Sequence, residues 1–374
     1  MKLRAHEEAF FALVRAGLWE KQVALGPLAG QLDYEALFKL SAQQWMNGIV
    51  TAGMGRATDM HLPESVFCAT TANMLRLEAR NTQMNALIAS LWQKLQAAGL
   101  EVLLVKGQGV AQCYERPLWR TSGDIDMLMD APTYHQAKKL LLPLATGKMP
   151  EIPEALHLAL LFDKKWIVEL HGSLRTGLGR RIDRVVDAVQ EGMLSDRQVR
   201  LWDNGGTQIP LPAPGGDVIF IFTHMLTHFF KGGIGIRQLC DWCRLLWTFR
   251  DTIDRTLLEE RLRKMGVMSE WKAFAAAAVD WLGIPPEAMP FYAEGRSWKR
   301  KARKIIAFML ESGNLGHNRD DSYRKKYPYL VLKAISLWRY TRDSVTHFFV
   351  FPLDSLRIWW TRVGESLHTV SKGK

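Results

Sequence analysis

Apolar residues recur at three- and four-residue spacing through residues 7–98, a pattern that predicts helices. Phe10, Phe11, Leu13 and Val14 open the first. A second is expected over 33–52, with Asp33 as N-cap and Glu35 in its first turn. Pro63, at an N1-like position, starts a long helix through Val66, Met74, Leu75, Leu77, Met84, Leu87 and Leu91 that should stop near Gly99. There the period changes. Residues 101–105 are a short, branched, apolar run ending in Lys106-Gly107, which reads as a buried strand entering a loop. Residues 108–114 suit a helical turn, 125–129 a second strand, and 131–144 a helix with Pro132 near its start. Residues 166–171 alternate as a third strand, so 100 to about 205 reads as an α/β unit. The breaker cluster 210–216 returns the chain to helices at 217–230 and 237–249, with several more to about 366. The expected fold class is α+β, with an α/β core over 100–209 between helical regions at 1–99 and 210–374.

The core segment carries the chemistry. In Ser122-Gly123-Asp124-Ile125-Asp126-Met127-Leu128, two carboxylates stand two residues apart in an apolar run, so a strand projects both from one face. Glu169, on a separate strand-like segment, could supply a third; Asp163 competes for that place. Hard oxygen ligands without cysteine suit Mg²⁺ or Mn²⁺. Two such cations can stabilise the entering and leaving oxygens when the α-phosphorus of a nucleoside triphosphate is attacked. Lys106 and Arg120 could neutralise triphosphate charge, or could each pair with an aspartate. His171 shares the face of Glu169 and could orient a metal-bound water, help deprotonate an acceptor hydroxyl, or serve as a hydrogen-bonded structural residue.

A second group, His224 and His228 on one helix face followed by Cys240 and Cys243, has zinc-compatible spacing. Those cysteines lie in an apolar helical pattern, however, where cysteine behaves as a small buried hydrophobe. The glycine-rich turn at 232–237 joins two helices and should face the α/β unit together with Asp241. Lys231 and Arg237 could reach a substrate phosphate, while Arg237 and Asp241, four apart, could pair with each other.

Composition narrows the partners. With 48% hydrophobic and 23% charged residues the chain is a folded globular one. A net charge of +11 and a pI near 9.5 make a polyanion plausible, whether nucleotide, nucleic acid or anionic membrane. Much of the excess falls at 296–304 and 324–326, where charge runs usually form solvated helix faces. Trp338, Trp359 and Trp360 alternate with Arg339, Arg342, Arg357 and Arg362; such stretches stack on bases or settle at a membrane surface, but core packing with charges outward explains them more economically. No RNA module is recognisable, so RNA is a partner without a motif. Four cysteines are too few for a disulfide framework, and charges near the start occupy the place of a signal peptide's apolar segment. A cytoplasmic protein without a transmembrane run is expected, with peripheral membrane contact as an option.

The order Leu104-Val105-Lys106-Gly107, Arg120, Asp124-Ile125-Asp126-Met127-Leu128, Glu169-Leu170-His171 and Arg237-Gln238-Leu239-Cys240-Asp241 resembles the polymerase-β-type nucleotidyltransferase superfamily. It is most similar to the superfamily's bacterial branch of uncharacterised nucleotidyltransferases, and it covers roughly residues 100–245. The resemblance implies a metal-dependent transferase that moves a nucleoside monophosphate from a triphosphate to an acceptor and releases pyrophosphate. It implies that Asp124 and Asp126 bind metal, that Glu169 completes the triad, and that Gly107 lies in the loop contacting the phosphates. Many members place that loop about ten residues before the acids, whereas Gly107 stands seventeen before Asp124; Ser122 and Gly123, directly before the acids, are therefore further candidates for nucleotide contact. An RNA-directed transferase and an inactive nucleotide sensor are the alternatives.

Overall fold

The computed structural model describes residues 3–195, 199–316, 318, 327 and 329–371. Four helices come first: α1 (Ala5–Trp19), α2 (Tyr34–Gln43), α3 (Asn47–Met54) and α4 (Glu64–Ala97). Asp33 caps α2 by accepting the Ala36 N–H at 2.9 Å. The single helix expected over 33–52 is two, because Trp45 takes a left-handed φ of 57° and the Met46 N–H turns back to the Ser41 carbonyl at 2.8 Å. Pro63 is the N-cap of α4 rather than its first residue. Helices α1 and α3 cross at backbone distance: a Cβ on Gly17 would lie 2.0 Å from the Ile49 carbonyl oxygen, and one on Gly53 2.0 Å from that of Leu13.

The α/β segment runs β1 (Leu103–Val105), α5 (Gly107–Ala111), β2 (Asp124–Leu128), α6 (Ala131–Leu141), β3 (Gly147–Lys148), β4 (His157–Phe162) and β5 (Trp166–His171). These strands form one sheet in the order β1-β2-β5-β4-β3, parallel between β2 and β5 and antiparallel elsewhere. The expected strands are present, and β3 and β4 extend the sheet beyond them. After α7 (Arg180–Ser195) a separate hairpin pairs β6 (Val199–Asn204) with β7 (Thr207–Pro212). The breaker cluster thus begins inside a strand, and a two-stranded ribbon tolerates its prolines because each strand keeps a free edge.

Helices α8 (Pro214–Lys231), α9 (Ile236–Thr248), α10 (Arg255–Met265), α11 (Met268–Ala277), α12 (Arg296–Ser312), α13 (Tyr329–Phe348) and α14 (Pro352–Ser371) follow. The fold is α+β.

Alternation in β2 and β5 sorts the sheet's two faces. Ile125, Met127, Val168 and Leu170 pack with Ile88, Trp92 and Leu95 of α4 and Tyr134 of α6 in one buried core. The other face carries Asp124, Asp126, Glu169 and His171 and turns toward a larger helical core, to which Val105 and Leu128 belong. In that core α1 meets residues 278–282, the turn that follows α11: the Phe11 and Trp281 rings stand 4.9 Å apart and the Trp19 indole donates to the Leu282 carbonyl. The helices before and after the α/β segment therefore share one interior.

The basic run at 296–304 is the outer face of α12, as its pattern predicts; residues 324–326 and the Arg362 side chain lie outside the described residues. Core packing does not account for Trp338 and Trp360, which are 71% and 63% exposed, whereas Trp359 is half-buried and donates to Thr341 Oγ1. Among the described residues no helix is long and apolar enough to cross a membrane.

Candidate active site

The turn from β1 into α5 sets the site. Lys106 and Gly107 both have positive φ, 56° and 39°, and a Cβ on Gly107 would come within 3.2 Å of the Asp124 carbonyl oxygen. Glycine is needed there for its left-handed backbone and for that close approach. Strand pairing sets Val105 opposite Asp126, so the seventeen-residue interval ends beside its starting point. The Lys106 ammonium lies 2.7 Å from Asp126 Oδ1.

Parallel pairing puts Asp126 directly across from Glu169, so Asp124, Asp126 and Glu169 share one face. One carboxylate oxygen from each lies within 4.8 Å of the other two. Asp126 is 1% exposed; its Oδ1 receives Lys106 and His171 Nε2 at 2.9 Å, while its buried Oδ2 has no hydrogen-bond partner. The negative charge of Asp126, aided by burial, pushes the Asp124 carboxyl above its ordinary range. Burial works against the charge on Glu169, but hydrogen bonds from His157 and His171 outweigh it and hold that group far below. Burial likewise opposes the charges on Lys106 and His171, and the surrounding carboxylates raise both. Repelling carboxylates, an orphaned buried oxygen and an all-oxygen donor set fit a hard divalent cation.

Arg120 lines the cleft over these carboxylates and is also paired with an aspartate. It is buried, and its guanidinium forks onto Asp241 of α9 with Nε at 2.6 Å and Nη2 at 2.7 Å, while Nη1 reaches Ser122 Oγ at 2.7 Å. Tyr114 donates its hydroxyl to Asp241 Oδ1 at 2.8 Å, and Arg237 adds a longer contact at 3.3 Å. Both alternatives of pairing with an aspartate, for Lys106 and for Arg120, are therefore realised. The network bolts the approach to β2 onto α9. From the other side Asn81 of α4 donates to the Leu118 and Arg120 carbonyls, and Arg80 donates to the Ser122 carbonyl. Gly123 lies under the Trp45 ring, where a Cβ would meet ring carbons at 3.0 and 3.1 Å.

A cleft of about 480 Å³ opens over the carboxylate face and is lined also by Trp45 and by His224, His228 and Arg237 from α8 and α9. That volume is of ligand size. Arg237 and Asp241 face the α/β unit as expected, and the Arg237 Nε is buried without a hydrogen-bond partner. Lys231 instead donates to the Thr176 carbonyl at 2.5 Å. His224 and His228 approach each other at 3.0 Å through their Nε2 atoms, and burial lowers both, His228 to about 4. Cys240 and Cys243 are fully buried thiols pushed upward by desolvation, and among the described residues no metal-binding group includes them or the two histidines. Asp163 is exposed in the β4–β5 turn, outside the cluster.

Sequence reasoning missed His157, Trp45, Tyr114, Arg80 and Asn81. His157 heads the apolar run of β4, and the alternation that exposed Glu169 and His171 is missing there.

A family model described as "Uncharacterised nucleotidyltransferase" matches residues 30–283. The chain belongs to that nucleotidyltransferase family. One solved structure, an antigenic nucleotidyltransferase-like protein from Paracoccidioides brasiliensis, is similar at 14% identity over 50% of this chain and 90% of its own, with a TM-score of 0.31, too loose a likeness to carry an argument. No curated protein matches the chain.

Proposed function

We propose that the protein transfers a nucleoside monophosphate from a triphosphate to an acceptor and releases pyrophosphate, with Asp124, Asp126 and Glu169 holding Mg²⁺ or Mn²⁺. The observation that carries this is the convergence of those three carboxylates on one sheet face, with Asp126 Oδ2 buried and unpartnered. Bound there, divalent cations would stabilise charge on the entering and leaving oxygens of an in-line displacement. Residues 100–209 are the catalytic unit in this reading, and the helical regions 1–99 and 210–374 wall the cleft.

The protein's own groups divide the remaining work. Lys106, at the turn beside Gly107, keeps its charge and offsets that of the carboxylates and of an entering triphosphate. Arg237 is the better phosphate ligand of the two arginines, because Arg120 spends its fork on Asp241 whereas Arg237 has an unpartnered Nε in the cleft wall. Ser122 is tied to Arg120 and positions Asp124, while Gly123 lines the cleft beneath Trp45 and is open to substrate. His171 directs its Nε2 at Asp126 and Glu169, so in this reading it serves the carboxylate cluster instead of taking the acceptor's proton.

The test is labelling with α-phosphate-labelled nucleoside triphosphates in Mg²⁺ or Mn²⁺, with pyrophosphate release followed across hydroxyl and amine acceptors. Asp124→Ala combined with Asp126→Ala should abolish both signals. Labelling and pyrophosphate release indifferent to that double change would refute the assignment.

A further inference from the structure

Two imidazoles meet Glu169 beside the acidic triad, and an all-oxygen nucleotidyl-transfer centre does not require them. His157 opens β4 and pairs in register with His171 at the end of β5, so their rings stack with centroids 4.8 Å apart and planes inclined by 28°. Both Nε2 atoms turn to the same oxygen, Glu169 Oε2, at 3.3 Å from His157 and 3.2 Å from His171. A single hydrogen bond would hold the carboxylate. Two ring nitrogens and one carboxylate oxygen lying within 4.8 Å of one another form a donor set that an ion can gather. The group is half-buried and lines the cleft, so it is open to solvent-borne ions.

We infer that His157, Glu169 and His171 form a second cation site, one that takes an imidazole-preferring transition ion such as Zn²⁺ or Co²⁺ in preference to Mg²⁺. Two histidines and a carboxylate are a characteristic donor set for such ions, whereas Mg²⁺ favours oxygen alone. Glu169 belongs to both groups, so the two sites adjoin while differing in donor chemistry. The inference stands on this geometry and does not depend on the transfer reaction proposed above.

Co²⁺ is a suitable probe, because its visible absorption reports ligand type directly. The metal-free 374-residue chain is dialysed against Co²⁺ in the presence of excess Mg²⁺, and retained metal and absorption are measured for wild type, His157→Ala, His157→Gln, Asp124→Asn and the double variant His224→Ala with His228→Ala. Wild type should retain one Co²⁺ per chain. Both His157 variants should lose affinity by about 100-fold or more, since a direct ligand should matter at least as much as the outer-shell partners whose loss costs 10–100-fold. His157→Gln preserves a polar side chain at a part-exposed position, and an unchanged metal-free melting temperature separates lost ligation from lost folding. Asp124→Asn and the His224/His228 double variant should retain Co²⁺. Failure of wild type to hold Co²⁺ against Mg²⁺, equal retention by the His157 variants, or loss confined to the His224/His228 variant would overturn the site. Pyrophosphate release without Co²⁺ retention would remove this site and leave nucleotidyl transfer standing; retention without release would do the reverse.

Discussion

Replacing Asp241 by asparagine removes the charge on which three groups converge. In the folded protein that carboxylate accepts from Arg120 at 2.6 and 2.7 Å and from the Tyr114 hydroxyl at 2.8 Å, with Arg237 at 3.3 Å. Burial alone would raise the Asp241 carboxyl, but the two arginines and Tyr114 hold it below its usual range. The asparagine keeps the shape and one acceptor, yet leaves the Arg120 guanidinium buried without a counter-charge. Breaking a buried pair from one side costs about 3–5 kcal/mol. With an unfolding entropy of roughly 2.1 cal/mol/K per residue, a 374-residue chain unfolding as one unit should melt about 4–6 °C lower. Differential scanning calorimetry at neutral pH measures this. The double variant Arg120→Met with Asp241→Leu removes both charges, so its loss should be clearly smaller than the sum of the two single losses. An Asp241→Asn melting temperature within a degree of wild type, or strict additivity in the double variant, would refute the view that this network fastens β2 to α9.

Two further outcomes follow from packing and burial. Glu270 of α11 is buried against Asp354 of α14, and burial together with that neighbour raises its carboxyl from 4.5 to about 8. A raised folded-state value means stability fully present below pH 4.5 and lost as pH rises through about 8; Glu270→Gln, which can still donate to Asp354, should match wild type in melting temperature near pH 4.5 and exceed it by several degrees at pH 9, and a pH-independent difference would contradict this. Gly53→Ala should cost about 1–3 kcal/mol or more by overpacking, because its Cβ would strike the Leu13 carbonyl at 2.0 Å, whereas Gly30→Ala meets nothing within 4 Å and should leave urea unfolding unchanged.

The period-two segments were the legible part of the chain. Asp124 and Asp126, and Glu169 and His171, announce a shared face by alternation, and β2 and β5 form where that pattern lies. His157 was invisible because β4 reads His-Leu-Ala-Leu-Leu-Phe, apolar at successive positions, with nothing to mark its first residue as part of a site. The role of Arg120 turns on Asp241, 121 residues away, and no local pattern records a contact of that range. The apolar spacing of 33–52 runs straight through Trp45, and only its left-handed backbone shows the break. The β6–β7 hairpin was hidden by prolines that signal a loop and are accepted in a two-stranded ribbon.

The most direct measurement is a crystal structure of the protein with a non-hydrolysable nucleoside triphosphate and Mn²⁺, with anomalous scattering used to locate the ions. Anomalous density enclosed by Asp124, Asp126 and Glu169, with the α-phosphate bound against it and the remaining phosphates toward Lys106 and Arg237, is the predicted result. Nucleotide bound away from these carboxylates, or bound over them without any anomalous peak, would contradict the account.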